Sequence, residues 1–408
     1  MRMRTPLAAY AAKRKRIAAM GLPADIPLAG PESPWFVPVD AMRRQVTDAG
    51  GRFVSLAHYD YLGLARHPEV LAAAHAAIDT FGVGAGGSRL IGGERTIHRL
   101  FEEEISAFLG FEDTLLMAAG YLVGLALIPH LVGAGDLIVM DELVHSSAVH
   151  GIKATRATVR SFRHNDLDHL AEILAEERDQ HGFCLIVAEG LYSMDGDVVD
   201  LPRLLELRDA WDAWVMIDEA HSIGVLGATG RGLCEHHDVD PSRVDLLVGT
   251  LSKTFVGQGG FVAARREVIE WLKYTLPGFV FSAGLAPVIV ETARAALAVV
   301  RREPERVARL AELSEWFVAR IREEGFSTGA AIGRGIVPVL FDDPTTTMRV
   351  SRALAAAGFY APPIMHVGLN AGEPRIRFFL SAGLATEDVD RAIGVLAAAA
   401  RAGDRPAG

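Results

Sequence analysis

Cysteine is scarce in this chain: only Cys184 and Cys234 occur in 408 residues. Two thiols cannot build a disulfide framework for a chain this long. A disulfide-stapled secreted scaffold is therefore excluded, and a reducing, cytoplasmic setting is expected. Positive charge is also in short supply. Lys and Arg total 41 against 51 Asp and Glu, a formal charge of −10. Proteins that take up nucleic acid carry a dense basic face. Here the basic cluster is the short run Lys13-Arg14-Lys15-Arg16, which reads as a solvated helix face, so no nucleic-acid partner is expected. The start, MRMRTPLAAYAAKRKR, returns to charge before an apolar stretch of signal length can form, so no export signal is expected. The uncharged run TLLMAAGYLVGLALIPHLVGAG approaches spanning length. Glycines, Pro129 and His130 interrupt it, so it reads as a buried strand, a glycine turn and a core helix, with no membrane span.

What the chain does have is apolar material for a sizeable core, at half of all residues. Its distribution implies three regions. Residues 1–55 read as an N-terminal arm with a Pro-rich connector. Over 56–290, short apolar runs (TLLMAA, DLIVMD, CLIVAEG, WVMIDEA, DLLVGTLS) alternate with helical stretches such as 166–180 and 201–211. Buried strands alternating with helices imply an α/β fold on a mainly parallel sheet. From 291 to 408, helices expected at 300–324, 347–358 and 386–402 alternate with apolar segments at 336–341 and 375–382, the pattern of a smaller C-terminal α+β domain. The tail RAGDRPAG reads as disordered.

Two strand ends carry the chemistry. WVMIDEAHSIG runs into Asp218 with His221 three residues on. In parallel α/β sheets, ligands bind at carboxyl strand ends, and a carboxylate there needs a donor partner. A metal ligand pair or a buried ion pair is the plainer alternative for that stretch taken alone. The second end, VGTLSKTFVGQGG, brings Thr250, Ser252 and Lys253 together ahead of a glycine-rich turn. Hydroxyls and glycine amides suit a phosphate. A desolvated lysine suits an imine with a carbonyl. The run lacks the GxxxxGK[ST] spacing of a nucleotide-triphosphate loop. Glu235-His236-His237-Asp238 offers metal-ligating types but reads as a solvated helix end. His58, His150 and His164 have no assigned role.

An acidic strand end followed 35 residues later by a lysine strand end resembles the fold-type-I pyridoxal 5′-phosphate (PLP) enzymes, aspartate aminotransferase-like in fold. Further segments resemble one group within them, the α-oxoamine synthases, among which are serine palmitoyltransferase, 8-amino-7-oxononanoate synthase, 2-amino-3-ketobutyrate ligase and 5-aminolevulinate synthase. These segments are HYDYLGL, GVGAGGSRLIGG, AAGYLVG, DELVHSS, EGLYSMDGD, DEAHSIGVLGATGRG, GTLSKTFVGQGG, FVFSAGLAP and RIRFFLSA. The resemblance covers roughly 40–400.

The resemblance implies a role for each matching residue. Lys253 carries PLP as a Schiff base and moves the Cα proton. Asp218 pairs with the pyridine nitrogen, His221 and Ser193 lie at the ring oxygen, and His145 stacks on the ring. Gly120, Tyr121, Thr250 and Ser252 cradle the phosphate with Ser282 of a neighbouring subunit, which implies a homodimer with shared active sites. Arg377 holds the amino acid carboxylate, and Tyr59 belongs to the substrate side. The implied reaction is a decarboxylative Claisen-type condensation of a small amino acid with an acyl thioester, from CoA or an acyl carrier protein. It gives an α-aminoketone, CO2 and free thiol, with no metal.

Tyr59 and SFRHND are similar to the serine palmitoyltransferase type. Where those enzymes carry an Arg-Pro-Pro-Ala-Thr-Pro loop, this chain has MHVGLN at 365–370, which implies altered handling of the amino acid or acyl chain. Another enzyme of the same fold, such as an aminotransferase, would turn over amino acid without a thioester. A non-catalytic relative would tolerate loss of the lysine.

Overall fold

The structure, a computed structural model, describes residues 15, 35, 37–48, 51–364 and 374–402. The MHVGLN segment, most of the Lys13–Arg16 run and the tail beyond Ala402 lie outside the described residues.

In chain order the strands are β1 (Val54–Ser55), β2 (Asp113–Met117), β3 (Leu137–Asp141), β4 (Thr158–Phe162), β5 (Cys184–Glu189), β6 (Trp214–Asp218), β7 (Leu246–Thr250), β8 (Gly260–Ala264), β9 (Ile336–Leu340), β10 (Phe359–Tyr360), β11 (Pro363–Ile364) and β12 (Arg375–Phe379). The chain divides into two compact units.

The first unit, 59–312 with 381–383, holds a seven-stranded sheet in the order β2-β8-β7-β6-β5-β3-β4. β8 alone runs against the rest. β5 is buried at every position because helices cover both faces of the sheet, so its sequence is a continuous apolar run. Leu185, Ile186, Leu246 and Val262 are fully buried, each contributing about 1.5–3 kcal/mol of transfer free energy. The edge strand β4, with two exposed residues, has no such run to reveal it. The helix Gly120–Leu131 follows β2, so the long uncharged run is a strand, a turn and a helix, as expected. Among the described residues no helix is long and apolar enough to cross a membrane.

The second unit comprises the described residues of 1–58, 313–380 and 384–408. Here β12 pairs antiparallel with β9 and β11, and β1 pairs parallel with β10. Phe317 packs on Phe378 with ring centres 5.1 Å apart. Arg349 donates to the carbonyls of Ala399 and Ala400, closing the end of the helix Thr386–Arg401.

One expected element differs. The helix expected at 300–324 is two helices, Pro287–Arg302 and Glu305–Glu323. Pro304 lacks an amide hydrogen and biases Glu303 away from helical geometry (φ −121°, ψ 61°).

Candidate active site

β6 and β7 are parallel neighbours, with Asp218 in register with Val248. Both end at the same, carboxyl-terminal end of the sheet, so the residues after them are neighbours. The Asp218 carboxylate accepts from the Ala220 amide at 2.9 Å, which tightens the turn into His221. His221 is buried, and its Nδ1 lies 2.6 Å from the hydroxyl of fully buried Tyr61. Tyr59 meets His221 edge-on, with centres 6.0 Å apart, and Lys253 Nζ stands 5.7 Å from the Tyr59 ring centre. Lys253, Tyr59 and His221 are therefore linked through the face and edge of one aromatic ring. Tyr61, which anchors His221, was not among the residues expected at the site. Nothing in HYDYLGL marks which tyrosine is buried, and only the fold distinguishes them.

A second cluster forms at the start of the helix Gly120–Leu131. The Thr250 hydroxyl donates to the Gly259 carbonyl at 3.1 Å, accepts from the Ser252 amide at 3.2 Å and lies 2.8 Å from the Ser252 hydroxyl. A Cβ on Gly120 would fall 2.6 Å from Thr250 Oγ1, so backbone alone fits against the threonine. The helix thus presents its amide end beside two hydroxyls, the arrangement that holds a phosphate. Three residues past Lys253, Val256 adopts φ 46°, a left-handed conformation that a β-branched residue rarely takes. The strained turn sits beside the lysine.

His145 caps the helix Ser146–Lys153. Its Nδ1 accepts from the Ser147 amide at 3.3 Å and lies 2.8 Å from the Ser147 hydroxyl. Tyr121 meets the His145 ring edge-on at 6.1 Å, and its hydroxyl reaches His150 Nδ1 at 2.5 Å. Ser193 lies in the hairpin after β5, where its amide donates to Glu189 at 3.2 Å.

The carboxyls behind this surface are unequal. Glu189 ends β5 in register with Asp218. Burial, reinforced by the charge of Asp218, holds Glu189 well above the usual carboxylate range. Burial pushes Glu219 up to about 7 while it accepts from the Leu233 amide.

These residues fit PLP: an amine for its aldehyde, a carboxylate for its ring nitrogen, imidazoles near a planar ring, and a hydroxyl–amide cradle for its phosphate.

Other residues singled out in the sequence have surroundings of their own. Ser282 follows the short helix Pro277–Val280, in a turn joined to the glycine-rich segment by the Ser88–Ala283 bridge and the Gly284 amide donating to Gly87. Arg89 of that segment is a structural residue, clasped by Glu94 and Glu102. Arg377 belongs to the second unit, paired with Pro338 across β12 and β9, its guanidinium 4.5 Å from the Phe379 ring centre. Glu235 holds the turn at Thr229 and Arg231, and His237 bonds the Val199 carbonyl, so that run does not converge on a metal. His67, Glu69 and Glu303 do approach one another, but Arg302 and Arg306 occupy the carboxylates.

Residues 52–396 match the aminotransferase class I and II family. The chain is 40% identical over 344 residues to an 8-amino-7-oxononanoate synthase of Methylobacterium nodulans, covering 84% of this chain and 86% of the relative. It is also 40% identical over 356 residues to one from Geobacter sulfurreducens, covering 86% and 90%. Among solved structures, Sphingomonas wittichii serine palmitoyltransferase superposes over the full length of both chains, with TM-score 0.86 and 29% identity. A serine palmitoyltransferase from S. paucimobilis with bound PLP and myriocin gives TM-score 0.86 at 26% identity, covering 98% of this chain and 99% of that one. With its lysine and aspartate at adjacent strand ends, the chain belongs to the aminotransferase class I and II family and, within it, to the α-oxoamine synthases, PLP-dependent acyltransferases that condense an amino acid with an acyl thioester and release CO2.

Proposed function

We propose that the residues gathered after β2, β3, β5, β6 and β7 divide the work of this condensation on a small amino acid. The observation that carries the assignment is the convergence of Asp218, His221, Tyr59 and Lys253 at the ends of β6 and β7. Bound there, PLP supplies an electron sink for negative charge developing at the amino acid Cα. Lys253 anchors the cofactor and then moves the Cα proton. Asp218 holds the ring nitrogen in its protonated form. His221, oriented by Tyr61, and Ser193 bind the ring oxygen, while His145 covers the ring face. Gly120, Tyr121, Thr250 and Ser252 hold the phosphate. Arg377 binds the amino acid carboxylate until it leaves as CO2, and Tyr59 borders the substrate.

The proposal extends to a cytoplasmic homodimer with shared sites. Val83, Ile91 and Phe281 are 74%, 85% and 84% exposed on the two segments that the Ser88–Ala283 bridge joins. A second subunit covers an apolar patch of this kind, and it brings Ser282 to the neighbour's phosphate. The buried, unpaired thiols of Cys184 and Cys234 agree with a reducing compartment.

The test supplies carboxyl-labelled glycine, alanine and serine with PLP and a panel of acyl-CoAs and acyl carrier proteins. Label should appear as CO2 only when a thioester is present. Release without a thioester would assign a simple decarboxylase instead, and transfer of the amino group without CO2 an aminotransferase.

A further inference from the structure

His164 stands outside the residues assigned above, yet it joins two of the turns that carry them. It follows β4, and its ring lies between two carboxylates. Nδ1 is 3.1 Å from Asp141 Oδ1, and Nε2 is 2.9 Å from Asp197 Oδ2. Asp141 is fully buried and ends β3; the same carboxylate accepts from the Leu143 amide at 2.8 Å, shaping the turn that leads into His145. Asp197 is buried and closes the hairpin that carries Ser193, with the Tyr192 amide donating to its carbonyl at 2.9 Å and Leu191 bridging Val198. Asn165 doubles the link. Its amide donates to Asp141 at 2.9 Å and its side chain to Asp197 at 2.6 Å, from a left-handed backbone (φ 53°) that asparagine tolerates. Tyr192 packs edge-on against the imidazole, with centres 4.4 Å apart.

Two buried carboxylates facing each other need a cation between them. Burial opposes charging His164, but the hydrogen bonds to Asp141 and Asp197 outweigh it and push the imidazole up to about 10. It is therefore an imidazolium at neutral pH, donating from both nitrogens.

We propose that His164 is a positioning residue, a cationic pin that fixes the turn carrying His145 to the hairpin carrying Ser193 and so holds both against the bound cofactor. The inference rests on the PLP site proposed above. It differs from that reading in its measurements, because the cofactor-free protein already reports on the pin.

The test compares wild type, H164Q, D197A and H164Q/D197N. Two measurements are made: amide exchange in the cofactor-free protein, and PLP affinity by reconstitution. Failure of wild type to bind PLP would count against the site itself, not the pin. With wild type binding, H164Q should speed exchange in both 141–147 and 190–198 and weaken PLP about tenfold, the equivalent of one charge-assisted hydrogen bond. D197A, which releases one end, should loosen 190–198 and leave 141–147 as in wild type. H164Q/D197N, which removes a buried negative charge along with the cation, should recover most of the affinity lost in H164Q. The pin is overturned if H164Q leaves PLP affinity unchanged. It is also overturned if exchange rises uniformly across the chain without recovery in the double variant, since His164 would then act on stability alone.

Discussion

The Tyr61–His221 contact gives the sharpest prediction for a residue whose role the fold alone exposes. Tyr61→Phe removes one oxygen and keeps the ring. The hydroxyl lies 2.6 Å from His221 Nδ1, Tyr61 is fully buried and His221 is 8% exposed. Water cannot easily replace the lost partner, so the imidazole keeps a buried nitrogen without its bond, at a cost of about 1–3 kcal/mol. Part of that cost is relieved by rotation of the ring away from its present pose. If the pose matters to the reaction, kcat should fall about 10- to 100-fold, at roughly 1.4 kcal/mol per decade. The amino acid KM should change little, because Tyr61 is not placed on the substrate. Steady-state kinetics with separate kcat and KM, run beside a reconstitution measurement of PLP affinity, makes the comparison. A variant with kcat within about twofold of wild type would refute the claim that Tyr61 orients His221, since the bond would then have no catalytic consequence.

Further predictions follow from the same geometry. Gly120→Ala places a methyl group 2.6 Å from Thr250 Oγ1, an overpacking of about 1–3 kcal/mol; PLP should dissociate faster, and unchanged retention would remove Gly120 from the cradle. Arg377→Lys should raise the amino acid KM about tenfold or more, because an ammonium cannot reproduce a two-pronged carboxylate contact; an unaltered KM would take Arg377 out of substrate binding. His164 has a folded pKa above its unfolded one, so its contribution to stability is full below about 6.5 and is lost as pH rises through about 10. Asp141, Asp197 and Tyr192 face the ring, Glu142 accepts from the His164 amide, and all four remain in H164Q. The decline in wild-type stability between those pH values should flatten in H164Q, measured by denaturant unfolding at each pH, and an identical slope would contradict the assignment of charge.

The parallel core was legible because strands buried on both faces appear as continuous apolar runs, and β3, β5, β6 and β7 all announce themselves this way. β4 and β8 do not. β4 is an edge strand with exposed positions, and β8 is an antiparallel strand that begins inside a glycine-rich turn. The break at Pro304 could have been read from the proline alone, had the helical periodicity on both sides not outweighed it. Lys253, Asp218, Thr250 and Ser252 were legible because each sits within a residue or a few of a strand end, so local sequence fixes their place. Tyr61 and His164 were not. Their roles depend on partners 160 and 33 residues away (His221 for Tyr61, Asp197 for His164), and no short-range pattern encodes such a meeting.

The assignment of the site converges on one nitrogen, and one chemical measurement reaches it directly. The holoenzyme is reduced with borohydride, digested, and its peptides are weighed. A phosphopyridoxyl group should appear on Lys253 alone, and Lys253→Ala should lose both the visible absorbance of the lysine-bound cofactor and all thioester-dependent CO2 release. A label on another lysine, or turnover surviving in Lys253→Ala, would contradict the assignment.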